Sequence, residues 1–411
     1  TQQDDKIRNK GTYMTQKKKG YLRLLTPPED LSGLMKMIRG LQLNNAKNIL
    51  IYLILIILII CGTVLLLQNR TYGRMRTSDQ YPSETTDSSR YERFADGVIR
   101  CNRDGVTFLD KKNEQLWMHP AQLQTPIIVA KDHSFAVADN GGNNILVFSE
   151  EGLKGEIETT LPIERIAVSE QGIVSVLLRD ENTPKILTYD AAGNILAELQ
   201  ISMGQGGYPT AMELSDDGNT LAVSYLSVSG TSIKSRLVYY NFGEAGQSRP
   251  DNIVFSEEYD NTVIGEIFFM GDGRSVAVGD HSFVLILGTD EPKVDREIAV
   301  DQEIQSVLHS DQYIGLVLLN EQKSGFEITL YNRIGEEMIS RDLPGKYANA
   351  KIDGEEVIMY EGDKCCIMTV TGIIKYEGDL AVEALEVFPA FGINRYYVMS
   401  VDELRTVYLT R

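Results

Sequence analysis

The sequence predicts an all-β body, a β-propeller of eight blades with seven as the alternative, behind a single N-terminal transmembrane helix. Three observations carry this. A charge-free apolar run, Ile49–Leu67, stands near the N-terminus. From about residue 90 onward, short β-branched and aromatic runs alternate with Asp-Gly, Gly-Asn and Gly-Gly turns. Those runs recur in sets of about four, at ~35–55 residue intervals, the period of propeller blades.

The apolar run comes first. Fifteen of its nineteen residues are Ile, Leu or Val. At ~1.5 Å per residue it is about 28 Å long, close to the ~30 Å hydrocarbon core of a bilayer. Each Ile, Leu or Val contributes roughly −0.3 to −0.6 kcal/mol to insertion, on the order of 5 kcal/mol or more for the run. A buried core helix would carry polar residues at a 3.6 period, and this one has none. A cleaved signal peptide is the competing reading. The long leader, the length of the run and the lack of an Ala-x-Ala-like site after Leu67 favour an uncleaved anchor.

Charge sets the expected orientation. Residues 1–48 carry a net +6, and the remainder carries −24. Close to the membrane the count ties, with Lys36, Arg39 and Lys47 before the run and Arg70, Arg74 and Arg76 after it. Lys17, Lys18 and Lys19 break the tie and place the tail in the cytoplasm and the body outside. So acidic a body repels nucleic acid, which removes that class of partner. Membrane lipid, met through Ile49–Leu67, and one or more protein partners are expected instead.

Within the tail, 1–48, a helix is expected over about 26–41. Thr26 can cap it, proline suits its first position, and Glu29 completes a capping box. Leu31, Leu34, Met35, Ile38 and Leu41 then fall on one face at 3–4 spacing. A tail this short has no core for that stripe, so it is expected to bind membrane or a partner. The bland alternative is a helix that continues loosely into the anchor. Residues 68–89 read as a polar stalk, with the propeller over 90–411.

The second set of runs is Ile127–Ala130, Ser134–Ala138, Asn144–Phe148 and Lys154–Thr159, and the third opens at Ile166. The fourth and fifth open at Ala211 and Ile267, and further sets begin near Ile304, Ala348 and Val382. The first set has a weak leading strand around Tyr91–Phe94. The last ends on its third strand, Thr406–Thr410.

Two phrases carry a resemblance. Leu214-Ser-Asp-Asp-Gly-Asn-Thr-Leu-Ala-Val223 and Met270-Gly-Asp-Gly-Arg-Ser-Val-Ala-Val278 are similar to the S-x-D-G-x-x-L-A-V turn of WD40-like propellers. Arg103-Asp-Gly-Val-Thr-Phe-Leu-Asp110, followed by Leu116-Trp117, resembles a quinoprotein-like blade. The whole plan resembles an uncharacterised family of single-pass, membrane-anchored propeller-like proteins from Gram-positive, clostridia-type bacteria. That resemblance implies architecture and location, and no activity.

No catalytic, cofactor-binding or metal-binding residue is expected. Cys365 and Cys366 beside a quinoprotein-like blade suggest a vicinal disulfide against a quinone, with Trp117 as a stacking floor. One tryptophan in the chain and no calcium-ligand cluster argue against it. The two thiols read better as strand residues facing opposite sides. The Asp-Gly pairs at 104, 217, 272 and 353 read as hairpin turns rather than calcium loops. No G-x-S-x-G, H-E-x-x-H or P-loop occurs.

The expectation is therefore a non-catalytic binding or scaffold domain held outside the cytoplasmic membrane. One alternative is an envelope enzyme acting on carbohydrate or peptide, marked by two inward acids ~5–10 Å apart with one desolvated. Another is a sensor that signals through the tail.

Overall fold

The computed structural model describes residues 46–82, 89–180, 183–200, 206–271, 273–320, 325–345 and 347–411. The expected tail helix and its stripe, Leu31, Leu34, Met35, Ile38 and Leu41, lie outside the described residues. The chain divides into two compact units, 1–63 and 64–411.

One helix runs from Ala46 to Gln68, a little beyond the apolar run at both ends. Its window Leu50–Leu67 is long and apolar enough to cross a membrane, as an anchor or as a signal sequence. Among the described residues it is the one helix that passes this test.

The second unit is an eight-bladed propeller. Eight antiparallel four-stranded sheets follow one another along the chain. Blades 1 to 7 occupy 90–120, 126–158, 163–200, 208–260, 266–299, 304–342 and 349–379. Blade 8 takes three strands from 386–410 and its fourth from Arg74–Pro82.

Burial explains why the strands read as apolar runs rather than as alternating ones. In a propeller the middle strands of each blade face neighbours on both sides. Gly105–Leu109 and Val174–Leu178 are buried at every position. The outermost strands are wet, and Lys293–Ala299 is exposed at all but one position. The core is correspondingly divided into eight clusters, one in each gap between blades. The gap between blades 8 and 1 is built on Tyr91, Val98, Phe388, Met399 and Leu404.

Glycine permits the tight hairpins. Gly218 and Gly354 hold φ of +72° and +58° at the Asp-Gly turns, in the left-handed region where a side chain would be strained.

The expected stalk is corrected by the structure. Part of 68–89 is Arg74–Pro82, the outer strand of blade 8, paired antiparallel from Arg74↔Thr410 to Pro82↔Glu403. Its polar composition follows from its place at the rim, where one edge and most side chains face water. Only Met75 and Tyr81 turn inward, onto the cores beside blades 7 and 1. A bulge between Thr77 and Asp79 interrupts the register, and the Ser78 hydroxyl donates to the Thr406 carbonyl at 3.1 Å. The unit therefore begins before 90, and the ring is closed by strands from both ends of its sequence.

Candidate functional site at the channel mouth

The inner strands of the eight blades line a central channel, and each turns into its second strand on the same face of the ring. On that face a cavity of 590 Å³ is lined by residues from blades 1 to 7. Its wall is made by the last residues of the inner strands and the first of the turns: Glu92 and Arg93, Lys131 and Asp132, Glu170, Asp216, His309 and Asp311, and Ile352.

Cations of one blade pair with acids of another, twice across an intervening blade and once on the adjacent one. Lys131, just after the inner strand Pro126–Ala130 of blade 2, places its ammonium 3.0 Å from Glu213 and 3.5 Å from Asp216 on blade 4. Arg93 of blade 1 pairs with Asp353 of blade 7 at 2.5 Å. Lys351 of blade 7 pairs with Glu386 of blade 8 and lies over the Phe388 ring. Burial opposes the charge on Lys131, but Glu213 and Asp216 together outweigh it and raise its pKa.

The surrounding ring depresses ionisation elsewhere. Burial, reinforced by Glu213, pushes Glu266 on the inner strand of blade 5 up to about 6, with Arg165 opposing. Burial also raises Glu213, against the pull of Lys131. Glu92 is raised by burial and then by Glu386, and Asp311 by burial, then by Asp132 and Asp216. His309 is lowered to about 4 by burial and by Lys131. Its ring is reached by water in the channel yet enclosed by protein, and it stacks on Phe268 with centroids 4.1 Å apart. The mouth is therefore mixed in charge: Lys131 holds Asp216 and its near neighbour Glu213, while Glu266 lies farther down the channel, at the start of its inner strand.

The residues singled out in the sequence as lures lie elsewhere. Cys365 and Cys366 are buried on one strand, Lys364–Thr369, and face opposite gaps, toward blade 8 and blade 6. Both are free thiols, and burial pushes the Cys366 thiol up to about 12. Trp117 stacks on Phe148 at 5.2 Å, and its indole N–H donates to the Glu150 carbonyl. Among the described residues no three His, Cys, Asp or Glu side chains group as metal ligands.

Sequence reasoning missed the channel residues because acids are too common in this chain for adjacency to mean anything. A usable signal was present in the repeats. Lys131-Asp132, Ser215-Asp216 and Ser310-Asp311 each directly follow the inner run of their own set. Aligned by repeat, they fall at one end of one channel.

The sequence profile of a family of unknown function, DUF5711, matches residues 68–409. The chain belongs to this family. The match begins before the outer strand Arg74–Pro82 and ends within the strand that pairs with it. No curated protein matches the sequence. Among solved structures, BamB from Moraxella catarrhalis is similar, with a TM-score of 0.51 and 13% identity, over 82% of this chain and 100% of that one. Apo AztD from Citrobacter koseri is similar with a TM-score of 0.50 and 9% identity, over 72% of this chain and 87% of that one. At such identities the likeness is one of fold.

Proposed function

We propose that this protein is a membrane-anchored, non-catalytic binding or scaffold protein that displays its propeller outside the cytoplasmic membrane. The observation that carries the reading is the set of ion pairs that cross between blades in and around the channel. Glu213 and Asp216 are held by Lys131, Asp353 by Arg93 and Glu386 by Lys351. Carboxylates held in cross-blade ion pairs shape and charge a surface, and are poorly placed to exchange protons with a substrate. The apolar helix and the +6/−24 charge division support the anchor and its orientation. The apolar stripe that the sequence leads one to expect in the tail supports contact with lipid or a partner on the inner side.

A photo-crosslinking residue at Asp311, on the mouth, tests the reading in intact cells. A defined protein adduct is expected there and not at Val228, which lies exposed in a hairpin on the opposite face. Equal adducts at both positions would remove the mouth as the binding surface.

Glu266 supports a second reading, an enzyme acting on envelope carbohydrate. A carboxyl raised to about 6, beside Glu213 on the neighbouring blade, meets part of the two-acid pattern of a glycosidase. Hydrolysis of a cell-wall glycan by the purified chain, abolished in Glu266→Gln, would replace binding with catalysis.

A further inference from the structure

Outside the apolar helix, the large hydrophobic residue with the greatest exposure among the described ones is Phe391, at 88%. It lies in the turn between the inner strand Glu386–Pro389 and the second strand Arg395–Met399 of blade 8. Ile393, in the same turn, is also exposed. The turn is well formed, with the Ala390 N–H donating to the Arg395 carbonyl at 2.9 Å and Asn394 at φ +57°. An ordered turn that presents Phe391 to water calls for an explanation.

The hydrogen bonds of the next residue supply one. The Asn394 side-chain amide donates to the Leu67 carbonyl at 3.2 Å and to the Tyr72 hydroxyl oxygen at 2.8 Å. The Tyr72 hydroxyl in turn donates to the same Leu67 carbonyl at 2.8 Å. Helix ends leave carbonyls without partners, and these two donors satisfy one of them. Tyr72 is fixed to the propeller by its N–H, which donates to the Lys375 carbonyl at 2.7 Å. Leu67 is also the last residue of the membrane-crossing window Leu50–Leu67. Eighteen helical residues span ~27 Å, so Leu67 falls at the edge of a ~30 Å hydrocarbon layer. Phe391 is three residues from Asn394, at most ~10 Å along the chain.

Charge agrees with this placement. The chain leaving the helix carries Arg70, Arg74 and Arg76, all exposed, and its first acid is Asp79. Arg395 adds an exposed cation at the end of the turn. On a body of net −24, a local strip of arginines around an aromatic tip matches the chemistry of an anionic lipid surface.

We propose that the hairpin tip of blade 8, Phe391 with Ile393, inserts into the lipid interface of the membrane that the N-terminal helix spans. The strand that closes the ring and the turn beside it thus give the propeller a second attachment to the bilayer. The tip borders a pocket that shares Arg93 and Ala95 with the channel cavity, so the mouth opens on the lipid-contacting face. This inference rests on the membrane-anchored reading.

The test uses the full chain reconstituted into vesicles that contain brominated and anionic phospholipid. Trp117 gives the baseline emission, and Phe391→Trp and Val228→Trp add one indole each. The emission added by Phe391→Trp should shift to the blue and be largely lost to bromine quenching, while that of Val228→Trp persists. Equal, unquenched emission from both, in a chain that stays embedded after alkaline carbonate, would overturn the inference and leave the anchor intact. Release of the parent chain by carbonate would remove the anchored reading, and the inference with it.

Discussion

His309 and Glu266 show how the ring acts on single side chains. Both are on inner strands, where water enters but protein surrounds, and in each the charged form is disfavoured. The consequences for stability have opposite signs. The unfolded His309 ring takes a proton below about 6.5, whereas the folded ring resists until about 4, so its contribution is full above 6.5 and is lost as pH falls across that window. The folded Glu266 carboxyl titrates at about 6 against an ordinary 4.5, so the folded state bears an ionisation cost above 6 that vanishes by 4.5. Between pH 7 and pH 5, His309→Gln should therefore lose less thermal midpoint than the parent, and Glu266→Gln more. The loss of the stack on Phe268 lowers the first variant at both pH values and leaves the difference readable. Identical pH dependence in all three proteins would mean that the channel is as wet as bulk solvent. None of this was legible from residue types alone, since the shifts come from neighbours on other blades. The reading of Cys365 and Cys366 was legible, because strand alternation sends adjacent residues to opposite faces whatever the fold around them.

At the scale of the element, the middle strands were the easiest to read and Arg74–Pro82 the hardest. A middle strand is packed on both faces and announces itself as a run such as Val-Ser-Val-Leu-Leu. A rim strand has one wet edge and needs only occasional inward contacts, so Arg74–Pro82 has the composition of a linker. Its pairing shields the edge of Glu403–Thr410, whose Leu404, Val407 and Leu409 are buried. Without it, blade 8 has three strands and the contacts of Met75 and Tyr81 are lost, at ~1.5–3 kcal/mol for each side chain if fully buried. A chain that starts at residue 84 should accordingly be cut by protease within 386–410 far faster than one that starts at residue 70. Equal resistance of the two would show that the propeller closes without this strand.

For the whole molecule, the eight-bladed plan was legible because a propeller repeats one solution eight times. A period is visible even where single runs are weak, and a final set of three strands signals that its fourth comes from elsewhere. The division of charge is the other feature of this scale, and it leads to a test of topology. A tail of +6 resists translocation, and a body of −24 does not. The body also offers a suitable reporter. The hairpin Thr220–Ser229 and Ser232–Asn241 has the longest strands among the described residues, and Val228, exposed at 67%, stands near its tip. Gly230, at φ +64° with open space around its Cα, tolerates an insertion there without disturbing the core. A specific protease site placed after Gly230 should be cleaved by enzyme added to intact spheroplasts, while an epitope on the first residues of the chain stays protected. Cleavage that needs detergent, together with loss of the N-terminal epitope in its absence, would invert the orientation and put the channel mouth on the cytoplasmic side.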